Sequence, residues 1–575
     1  MIDLRSINLY HSYSTFMAQI YPKSTTLSNF LQHNSFVIFN SLCVLFVILI
    51  LTRMFSYQYA MILHPYQLQY REGVALLMTE KLLAGDNPYS IENQPYWASI
   101  YGIMYNLVSL PFAKLFGNTF VVHRAISAIF GLLCAILVAR ILKRQKVMLV
   151  YCLAGAGIVY SSLLYHKTLT AEPDTMGLFC FLFAIYTAKE NDFSPKSMFM
   201  ATLILLIGFY TKIYFILGAP ILCSYLFLFR SKRQGILYGA WFLLFYSSCI
   251  VIGYQFIPCF FLTLFYSQAV SGHGNDLGYS AFQLKNFTEL NIGLIIVGLF
   301  LLCLQLINYQ KIKAEKTLNL GKHQNTTTND ISKKSVIDIA NWDKPFCMIG
   351  SINLYTYAFC VTLFVVSFVI GGTKGAYLYY HFTFLTPFLV IVILSATTIT
   401  LQIDFSSNHS KILQLNGQIV LMILTSIGLL SLFFNKGELK KMTTENSNDW
   451  EKARTYITNS KNILNTPSVT NFMQQQHKKN YDNGHIEYII DYKDKSIAWV
   501  QNDLTALKAK TKNFKEEIAT NIATKQFDLI MHDMGSSWYL SENDLLGTYT
   551  KVDSIELVMP HIRHTWKTTY WKPKP

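Results

Sequence analysis

The chain has 575 residues, of which 52% are hydrophobic and only 14% are charged, and its mean hydropathy is +0.29. A soluble protein of this length with so apolar a composition would aggregate, so the composition excludes a soluble globular protein and indicates a polytopic membrane protein. The net charge of +15 does not indicate a nucleic-acid partner, because many of the basic residues lie in short loops between apolar segments, as the positive-inside rule requires.

The ten cysteines lie mostly within apolar runs, and none follows Cys360. Their spacing matches neither a disulfide framework nor a set of metal ligands, so the sequence does not require a divalent metal. The sequence also contains neither a Walker A motif nor a glycine-rich dinucleotide fingerprint. We therefore predict no nucleotide-driven step.

The basic clusters and the apolar segments together predict about eleven transmembrane helices. Two segments, Ser99 to Phe116 and Val121 to Leu142, compete for the second crossing, and the alternation of the basic clusters allows only one of them. We assign the crossing to the second segment, because the first contains polar residues and a proline and is interpreted as an interfacial helix. The spans are predicted near residues 35–54, 121–142, 147–165, 174–188, 196–211, 213–229, 235–256, 290–308, 346–370, 378–400 and 414–434.

This topology divides the chain into two domains and predicts a mostly α polytopic membrane protein with interfacial helices. Residues 1–434 form the transmembrane domain, in which 57–120 is the first external loop and 309–345 is a cytoplasmic linker. An odd number of spans places the tail, residues 435–575, on the extracytoplasmic side as a soluble α/β domain. Its predicted elements are a strand at 527–532, an amphipathic helix at 508–524 and strands at 555–559 and 565–571.

The first strongly polar stretch after the first predicted span is Tyr70-Arg71-Glu72-Gly73. The helical pattern that follows is too short to cross a bilayer, so we predict an interfacial helix in which Thr79 and Glu80 face away from the apolar side. Gly85 can supply the left-handed cap that ends this helix. By spacing alone, Glu72 can be a carboxylate that is favoured near a helix N-terminus, with Arg71 as its surface partner.

Several motifs occur together in this region: Tyr70-Arg71-Glu72-Gly73, the short helix after it, Gly85-Asp86-Asn87-Pro88-Tyr89, Leu115-Phe116-Gly117 and Arg124. This combination resembles the first external loop of the GT-C glycosyltransferases, in particular the protein O-mannosyltransferases and the lipid A aminoarabinose transferases. The resemblance covers residues 57–230. It implies a polyprenyl-phosphate sugar as donor and a catalytic role for Glu72, where many members of the family carry Asp or Asp-Glu.

Two further ionisable residues lie at the ends of predicted spans. Asp174 follows Pro173 and resembles the second acidic position of the family, although a helix N-terminal carboxylate would also explain it. Lys212 lies between two apolar spans without a hydrophilic loop, and a lysine at such depth is costly unless it is paired. The family has a lysine in a similar Thr-Lys context, which implies contact with the lipid phosphate; snorkelling to nearby headgroups is the alternative.

Transfer from a sugar phosphate requires a carboxylate that accepts the proton of the acceptor and cations that stabilise the departing phosphate. Glu72 and Asp174 are the candidate catalytic carboxylates. The candidates for binding the donor phosphate or the substrate are Arg71, Arg124, His166, Lys167, Lys212, Lys374, Tyr377 and His381. An aromatic belt at the interface would also explain the tyrosines near His381. The segment from Ser267 to Phe287 is interpreted as a mobile loop that could cover the site.

The resemblance implies an integral-membrane glycosyltransferase that moves one sugar, with inversion, from a polyprenyl-phosphate donor to a glycan, lipid or protein acceptor. The active site is expected on the extracytoplasmic face of a bacterial inner or plasma membrane, with membrane lipid as a partner. A transporter or flippase of lipid-linked sugars would have a similar hydropathy profile, but the sequence has no repeated halves and no paired broken spans. An oligosaccharide ligase or polymerase is the third alternative.

Overall fold

The computed structural model describes residues 52–69, 72–91, 101–165, 169–262, 276–296, 352–372, 379–401, 447–460, 463–464, 518–533, 540–558 and 565–575, together with a few single residues outside these ranges. Most of the described chain is helical. The helices of the membrane part are α1 (52–63), α2 (Glu72–Leu83), α3 (Met104–Phe116), α4 (Phe120–Arg144), α5 (Leu149–Tyr165), α6 (Asp174–Glu190), α7 (Pro195–Phe209), a 3-10 turn (Ile213–Leu217), α8 (Gly218–Phe229), α9 (Lys232–Phe256), α10 (Pro258–Leu262), α11 (Leu277–Leu290), α12 (Leu354–Val365) with a π-turn (Val366–Ile370), and α13 (Tyr379–Leu401).

Three helices among the described residues are long and apolar enough to cross a membrane, judged by length and composition. They are Phe120–Arg144, Lys232–Phe256 and Tyr379–Ala396, and each coincides with a predicted span. Shorter apolar helices occupy four more of the predicted positions, at Tyr151–Tyr165, Pro195–Phe209, Ile213–Phe229 and Leu354–Ile370. The count of eleven stays a prediction, because the predicted spans at 35–54 and 414–434 lie mostly or wholly outside the described residues.

The segment between α1 and α4 contains the two predicted interfacial helices, α2 and α3. α2 begins at Glu72 and is buried along most of its length. The prediction that Thr79 turns away was wrong: Thr79 is buried, and Asn106 of α3 donates a hydrogen bond to its hydroxyl (2.9 Å). α3 has 13 residues, which makes it about 20 Å long and too short for a hydrocarbon core of ~30 Å. α1 continues to residue 63, beyond the predicted end of the first span at Met54.

Part of the predicted mobile loop from Ser267 to Phe287 is helical, which corrects the sequence interpretation. Residues 277–287 belong to α11. The carboxylate of Asp276 caps this helix, because its Oδ1 accepts hydrogen bonds from the backbone N–H groups of Gly278 (2.8 Å) and Tyr279 (3.2 Å). Residues 263–275 lie outside the described part of the chain.

α6, α7 and the turn after α7 pack closely because a glycine faces an aromatic ring. The Phe215 ring lies against Gly177 of α6, where a Cβ atom would overlap with the ring. Phe215 also stacks on Phe384 of α13, with the ring centroids 5.0 Å apart. These contacts hold the first turn of α6 beside the end of α7, so that Asp174 and Lys212 meet.

Within the described residues, the C-terminal unit contains a four-stranded sheet. Its elements are α14 (Ser447–Thr458), β1 (Ile463–Leu464), β2 (Leu529–His532), α15 (Glu542–Leu545), β3 (Tyr549–Val558) and β4 (Thr565–Pro573). The strand order is β1-β2-β4-β3, in which β1 and β2 are parallel and the other pairs are antiparallel. The sequence predicts β2, β3 and β4 and the helical residues 518–523 but misses α14, which buries Trp450, Ala453 and Ile457 in the core of the unit.

Candidate active site

The first cluster of the candidate site is an ion pair between Glu72, at the start of α2, and Arg124 of α4. The guanidinium donates two hydrogen bonds to the carboxylate, from Nε to Oε1 (2.8 Å) and from Nη2 to Oε2 (2.7 Å). Both side chains are fully buried. Arg124 also lies over the ring of Phe120, 4.5 Å from its centroid. Bidentate pairs of this kind combine strong charge-assisted hydrogen bonds with a fixed geometry, so the pair locks α2 to α4.

Every acceptor position of the Glu72 carboxylate is occupied. The backbone N–H of Leu68 donates to Oε2 (2.8 Å), and that of Ala171 donates to Oε1 (2.9 Å). Each oxygen thus accepts two hydrogen bonds, which matches the lone pairs of a carboxylate. Glu72 therefore ties α2 to the segment before it and to the loop between α5 and α6.

The Arg124 guanidinium is satisfied in the same way. Its remaining N–H groups donate to the backbone carbonyls of Met61 (3.1 Å), His64 (2.5 Å) and Tyr66 (2.7 Å). All five donors of the side chain are engaged by protein groups. Arg124 was predicted to bind the donor, but in this arrangement it has no N–H group left for a phosphate.

His64 lies beside this pair and is kept neutral. Burial lowers the pKa of His64 to about 4, the nearby charge of Arg124 contributes to the shift, and Glu72 opposes it. The imidazole packs edge-on against the Tyr66 ring, with the centroids 5.8 Å apart. At pH 7 the Glu72–Arg124 pair is thus not disturbed by a second positive charge.

The second cluster consists of Lys212, which follows α7, and Asp174, the first residue of α6. The Lys212 ammonium donates to Asp174 Oδ1 (2.8 Å) and to the hydroxyl oxygen of Tyr379 (2.9 Å). The side chains of Lys212 and Asp174 are 5% and 1% exposed. A snorkelling lysine would keep its ammonium in water, so this burial favours the paired interpretation of Lys212.

Three tyrosine rings surround the Lys212 ammonium, and we call them the tyrosine cage. Nζ lies 5.0 Å from the ring centroid of Tyr101, 5.3 Å from that of Tyr379 and 4.8 Å from that of Tyr380. Each distance is within the range of a cation–π contact. The rings add to the stabilisation of the buried ammonium by Asp174, and they carry no full negative charge of their own.

Backbone hydrogen bonding fixes Tyr101 beside Lys212. The N–H of Gly102 donates to the carbonyl of Thr211 (3.1 Å), so the chain before α3 is bound to the chain after α7. A Cβ atom on Gly102 would overlap with the carbonyl of Tyr210. This close approach of two backbones therefore requires glycine at position 102.

One oxygen of Asp174 is not used by Lys212. Oδ2 is buried and has no hydrogen-bond partner within the described residues, whereas Oδ1 accepts from the ammonium. Asp174 lies in the first turn of α6, where the helix dipole favours a carboxylate. The alternative interpretation of Asp174 as a helix N-terminal carboxylate therefore also fits the structure. A buried acceptor without a partner is nevertheless costly, which makes Oδ2 a candidate for contact with a substrate.

His381 lies two residues after Tyr379 on α13 and is also fully buried. Neither of its ring nitrogens has a hydrogen-bond partner in the described part of the chain. The imidazole packs against Gly371 after the π-turn, and its centroid lies 6.3 Å from that of Phe287 in α11. Because π-turns are frequent at functional sites, this region remains a candidate for binding a polar group of the substrate.

The predicted site residues thus fall into two paired clusters, the separate buried His381, and a set that the structure does not describe. Arg71, His166, Lys167, Lys374 and Tyr377 lie outside the described residues. The sequence draws attention to Tyr379-Tyr380-His381, three ring side chains with polar atoms at the start of an apolar span, but it does not predict that Tyr379 and Tyr380 join Tyr101 around Lys212. Among the described residues, no group of three or more His, Cys, Asp or Glu side chains is placed to hold a metal ion.

Comparison with known proteins identifies the fold. No family model and no curated protein matches the chain. Two solved structures of ArnT from Cupriavidus metallidurans match over 91% of this chain and 97% of theirs. The apo structure is 10% identical with a TM-score of 0.50, and the structure bound to undecaprenyl phosphate is 11% identical with a TM-score of 0.51. The chain has the fold of ArnT.

The ArnT fold agrees with the predicted mostly helical, polytopic architecture. It accounts for the helical membrane part and extends over nearly the whole chain, well beyond the region whose motifs carry the resemblance. At this level of identity the likeness to ArnT establishes the fold alone.

Proposed function

We propose that this protein is a GT-C membrane glycosyltransferase that transfers one sugar from a polyprenyl-phosphate donor to a glycan, lipid or protein acceptor on the extracytoplasmic face. The observation that carries the proposal is the buried Asp174–Lys212 pair inside the tyrosine cage. Ionisable groups among membrane-spanning helices are costly and mark functional sites. One of the ArnT structures with this fold holds undecaprenyl phosphate, which has the lipid phosphate of the proposed donor.

The proposed reaction is a single displacement at the anomeric carbon of the sugar. A bond forms between that carbon and the acceptor oxygen or nitrogen, and the bond from that carbon to the phosphate oxygen breaks. The acceptor proton passes to a carboxylate, for which Oδ2 of Asp174 is the candidate. The polyprenyl phosphate leaves as an anion that Lys212 stabilises.

The Asp174–Lys212 pair belongs to the donor-free state in this proposal. Displacement with inversion puts the base and the leaving phosphate on opposite faces of the sugar, whereas Asp174 Oδ1 and Lys212 Nζ are only 2.8 Å apart. An incoming phosphate competes with Asp174 for the ammonium, and the flexible stem of Lys212 lets the ammonium follow the phosphate. Donor binding would thereby free the Asp174 carboxylate to accept a proton.

Glu72 is proposed to position the site. Its carboxylate binds the N–H of Ala171, three residues before Asp174, and so fixes the chain that leads into α6. The catalytic role predicted for Glu72 from the resemblance would require a free lone pair for the acceptor. Its four hydrogen bonds favour the positioning role over that of a base.

The mass of the product tests the proposed function. Purified full-length protein in lipid nanodiscs is incubated with polyprenyl-phosphate donors that carry a hexose or a pentose, and with candidate acceptors. The expected result is an acceptor that is heavier by one sugar residue, together with free polyprenyl phosphate. Transfer of a preformed oligosaccharide would indicate a ligase or polymerase, and movement of the donor across the bilayer without transfer would indicate a transporter.

The proposed contact between Lys212 and the donor phosphate predicts weaker donor binding in Lys212→Met. The substitution keeps the apolar stem but removes a charge-assisted hydrogen bond, so the affinity for undecaprenyl phosphate should fall about 10- to 150-fold. Tyr379→Phe is the matched control, since it removes one hydrogen bond of the ammonium and keeps its charge. Calorimetric titration of both variants measures the effect, and wild-type affinity in Lys212→Met would contradict the contact.

The proposed topology predicts that the C-terminal unit is accessible from outside the cell. A cysteine at Asn543, an exposed residue of α15, should react with an impermeant thiol reagent in intact cells. The neighbouring Ser541 is less suitable, because its side chain caps the same helix. Lys143→Cys lies in the basic last turn of α4, which the positive-inside rule assigns to the cytoplasm, and it is the control that should react only after lysis. Reaction of Asn543→Cys only after lysis would reverse the assigned sidedness.

A further inference from the structure

α14 of the C-terminal unit contacts the segment that precedes α2. The Tyr66 ring stacks on Trp450, with the centroids 5.5 Å apart and the ring planes at 5°. The Tyr66 hydroxyl donates a hydrogen bond to Glu451 Oε1 (2.7 Å). The two partners of this hydrogen bond are 385 residues apart in the sequence. The contact therefore joins the C-terminal unit to the segment that leads into Glu72 and α2.

The surface that receives Tyr66 is held in place by the C-terminal unit itself. Trp450 is 1% exposed and belongs to the hydrophobic core that α14 forms with the sheet. Glu451 accepts hydrogen bonds from Arg454 at 3.1 Å and 3.2 Å. The ring and the carboxylate therefore have contacts of their own within the C-terminal unit, besides those with Tyr66.

The other side of Tyr66 faces the candidate active site. Its backbone carbonyl accepts a hydrogen bond from Nη2 of Arg124 (2.7 Å), the same nitrogen that binds Glu72. Glu72 in turn holds the N–H of Ala171, three residues before Asp174. A continuous series of direct contacts therefore leads from α14 to the chain segment that carries the proposed base.

The contact is not expected to titrate near neutral pH. Burial raises the pKa of Tyr66 to about 12, and the hydrogen bond to Glu451 contributes to the shift. The hydroxyl therefore remains a donor throughout the physiological range. A change at this contact must come from a substitution or a movement of the C-terminal unit.

We propose that Tyr66, held by Trp450 and Glu451, is a positioning residue through which the C-terminal unit sets the geometry of the active site. This inference rests on the function proposed above. Tyr66 acts through its carbonyl on Arg124, and hence on Glu72 and the loop before α6. The C-terminal unit is then required for the geometry of the active site. Its removal would alter that geometry even if neither the donor nor the acceptor contacts the unit.

The test compares Tyr66→Leu with Tyr456→Phe in the full-length protein. Tyr66→Leu removes the ring stack and the hydroxyl but keeps the backbone carbonyl. Tyr456→Phe is the matched control on α14, because that hydroxyl donates to Asp553 (2.9 Å) within the C-terminal unit. In Tyr66→Leu we expect hydrogen exchange of the Leu68 and Ala171 amides to rise about tenfold, and kcat to fall about tenfold with the donor KM within twofold.

The outcomes separate this inference from the proposed function. Wild-type exchange and wild-type kcat in Tyr66→Leu would overturn the positioning role, while transfer by the wild-type protein would leave the proposed function standing. If the wild-type protein transfers no sugar from any donor, the proposed function fails, and the exchange measurement still decides whether the contact orders the loop. Equal effects of Tyr456→Phe and Tyr66→Leu would also overturn the inference.

A lowered unfolding temperature in Tyr66→Leu would call for the milder variants Tyr66→Phe and Glu451→Ala. Both remove the same hydrogen bond and leave the ring stack in place. If the hydrogen bond acts as a positioning contact, the double variant that combines Tyr66→Phe with Glu451→Ala should lower kcat no more than either single variant. Additive effects in the double variant would overturn the inference.

Discussion

Glu72→Gln is expected to lower the free energy of unfolding by about 3–5 kcal/mol, because it leaves Arg124 charged, buried and without its counter-ion. The new amide also turns a donor toward groups that are donors themselves, such as the backbone N–H groups of Leu68 and Ala171. Chemical or thermal unfolding of the purified protein in detergent measures the change, and the transfer assay is run on the same preparation.

Two control variants decide whether the buried pair is responsible. Glu80→Gln changes a carboxylate on the same helix that Asn118 binds at 2.8 Å, and it should cost no more than about 1.5 kcal/mol. Adding Arg124→Met to Glu72→Gln removes the uncompensated charge but also the donor to the carbonyls of Met61, His64 and Tyr66, so it should restore only part of the lost stability. Normal stability in Glu72→Gln, together with a loss of turnover of about 10²- to 10⁴-fold, would instead support the base predicted from the resemblance.

The helices were largely predictable because each long apolar run must form its own backbone hydrogen bonds in a bilayer. α4 coincides with the predicted span at 121–142 for this reason. The burial of α2 was not predictable in the same way. Its pattern suggests one apolar face, but α2 is enclosed on several sides, and Thr79 is buried because a partner from α3 satisfies it. Periodicity identifies a helix but not the neighbours that cover it.

The importance of Lys212 could be predicted from the cost of a charge among apolar spans, but its partners could not. Asp174 is 38 residues away, and the two meet where Phe215 packs onto Gly177. The tyrosine cage could not be predicted for the same reason, since a contact between two loops brings Tyr101 to Lys212.

The resemblance pointed to both Glu72 and Arg124 but implied separate roles for them. Glu72 was expected to be the base, and Arg124 was expected to bind the donor. Their mutual pairing depends on how α2 packs against α4, across 52 residues of sequence. Likewise, no local pattern connects Tyr66 with α14, which the sequence analysis did not predict. Residue types indicated the chemistry of the site, whereas the pairing of those residues required the tertiary structure.

Asp174→Asn is expected to reduce the rate of sugar transfer by about 10²- to 10⁴-fold, the usual effect of losing a general base. The amide keeps an oxygen for Lys212 but cannot accept the proton of the acceptor. Because the neutral side chain competes less strongly for the ammonium, the affinity for undecaprenyl phosphate should be unchanged or higher. Single-turnover transfer and calorimetric donor binding on one preparation measure the two effects.

The control lies at the other end of the same helix. Glu190 forms an ion pair with Arg144 (3.3 Å) whose arginine side chain is 61% exposed, so Glu190→Gln should change stability by less than about 1 kcal/mol and leave transfer intact. If Asp174→Asn weakens donor binding and leaves the turnover of bound donor unchanged, Asp174 only holds Lys212 in place. The proton acceptor would then have to be another carboxylate, and the stability and turnover of Glu72→Gln would show whether Glu72 can be that group.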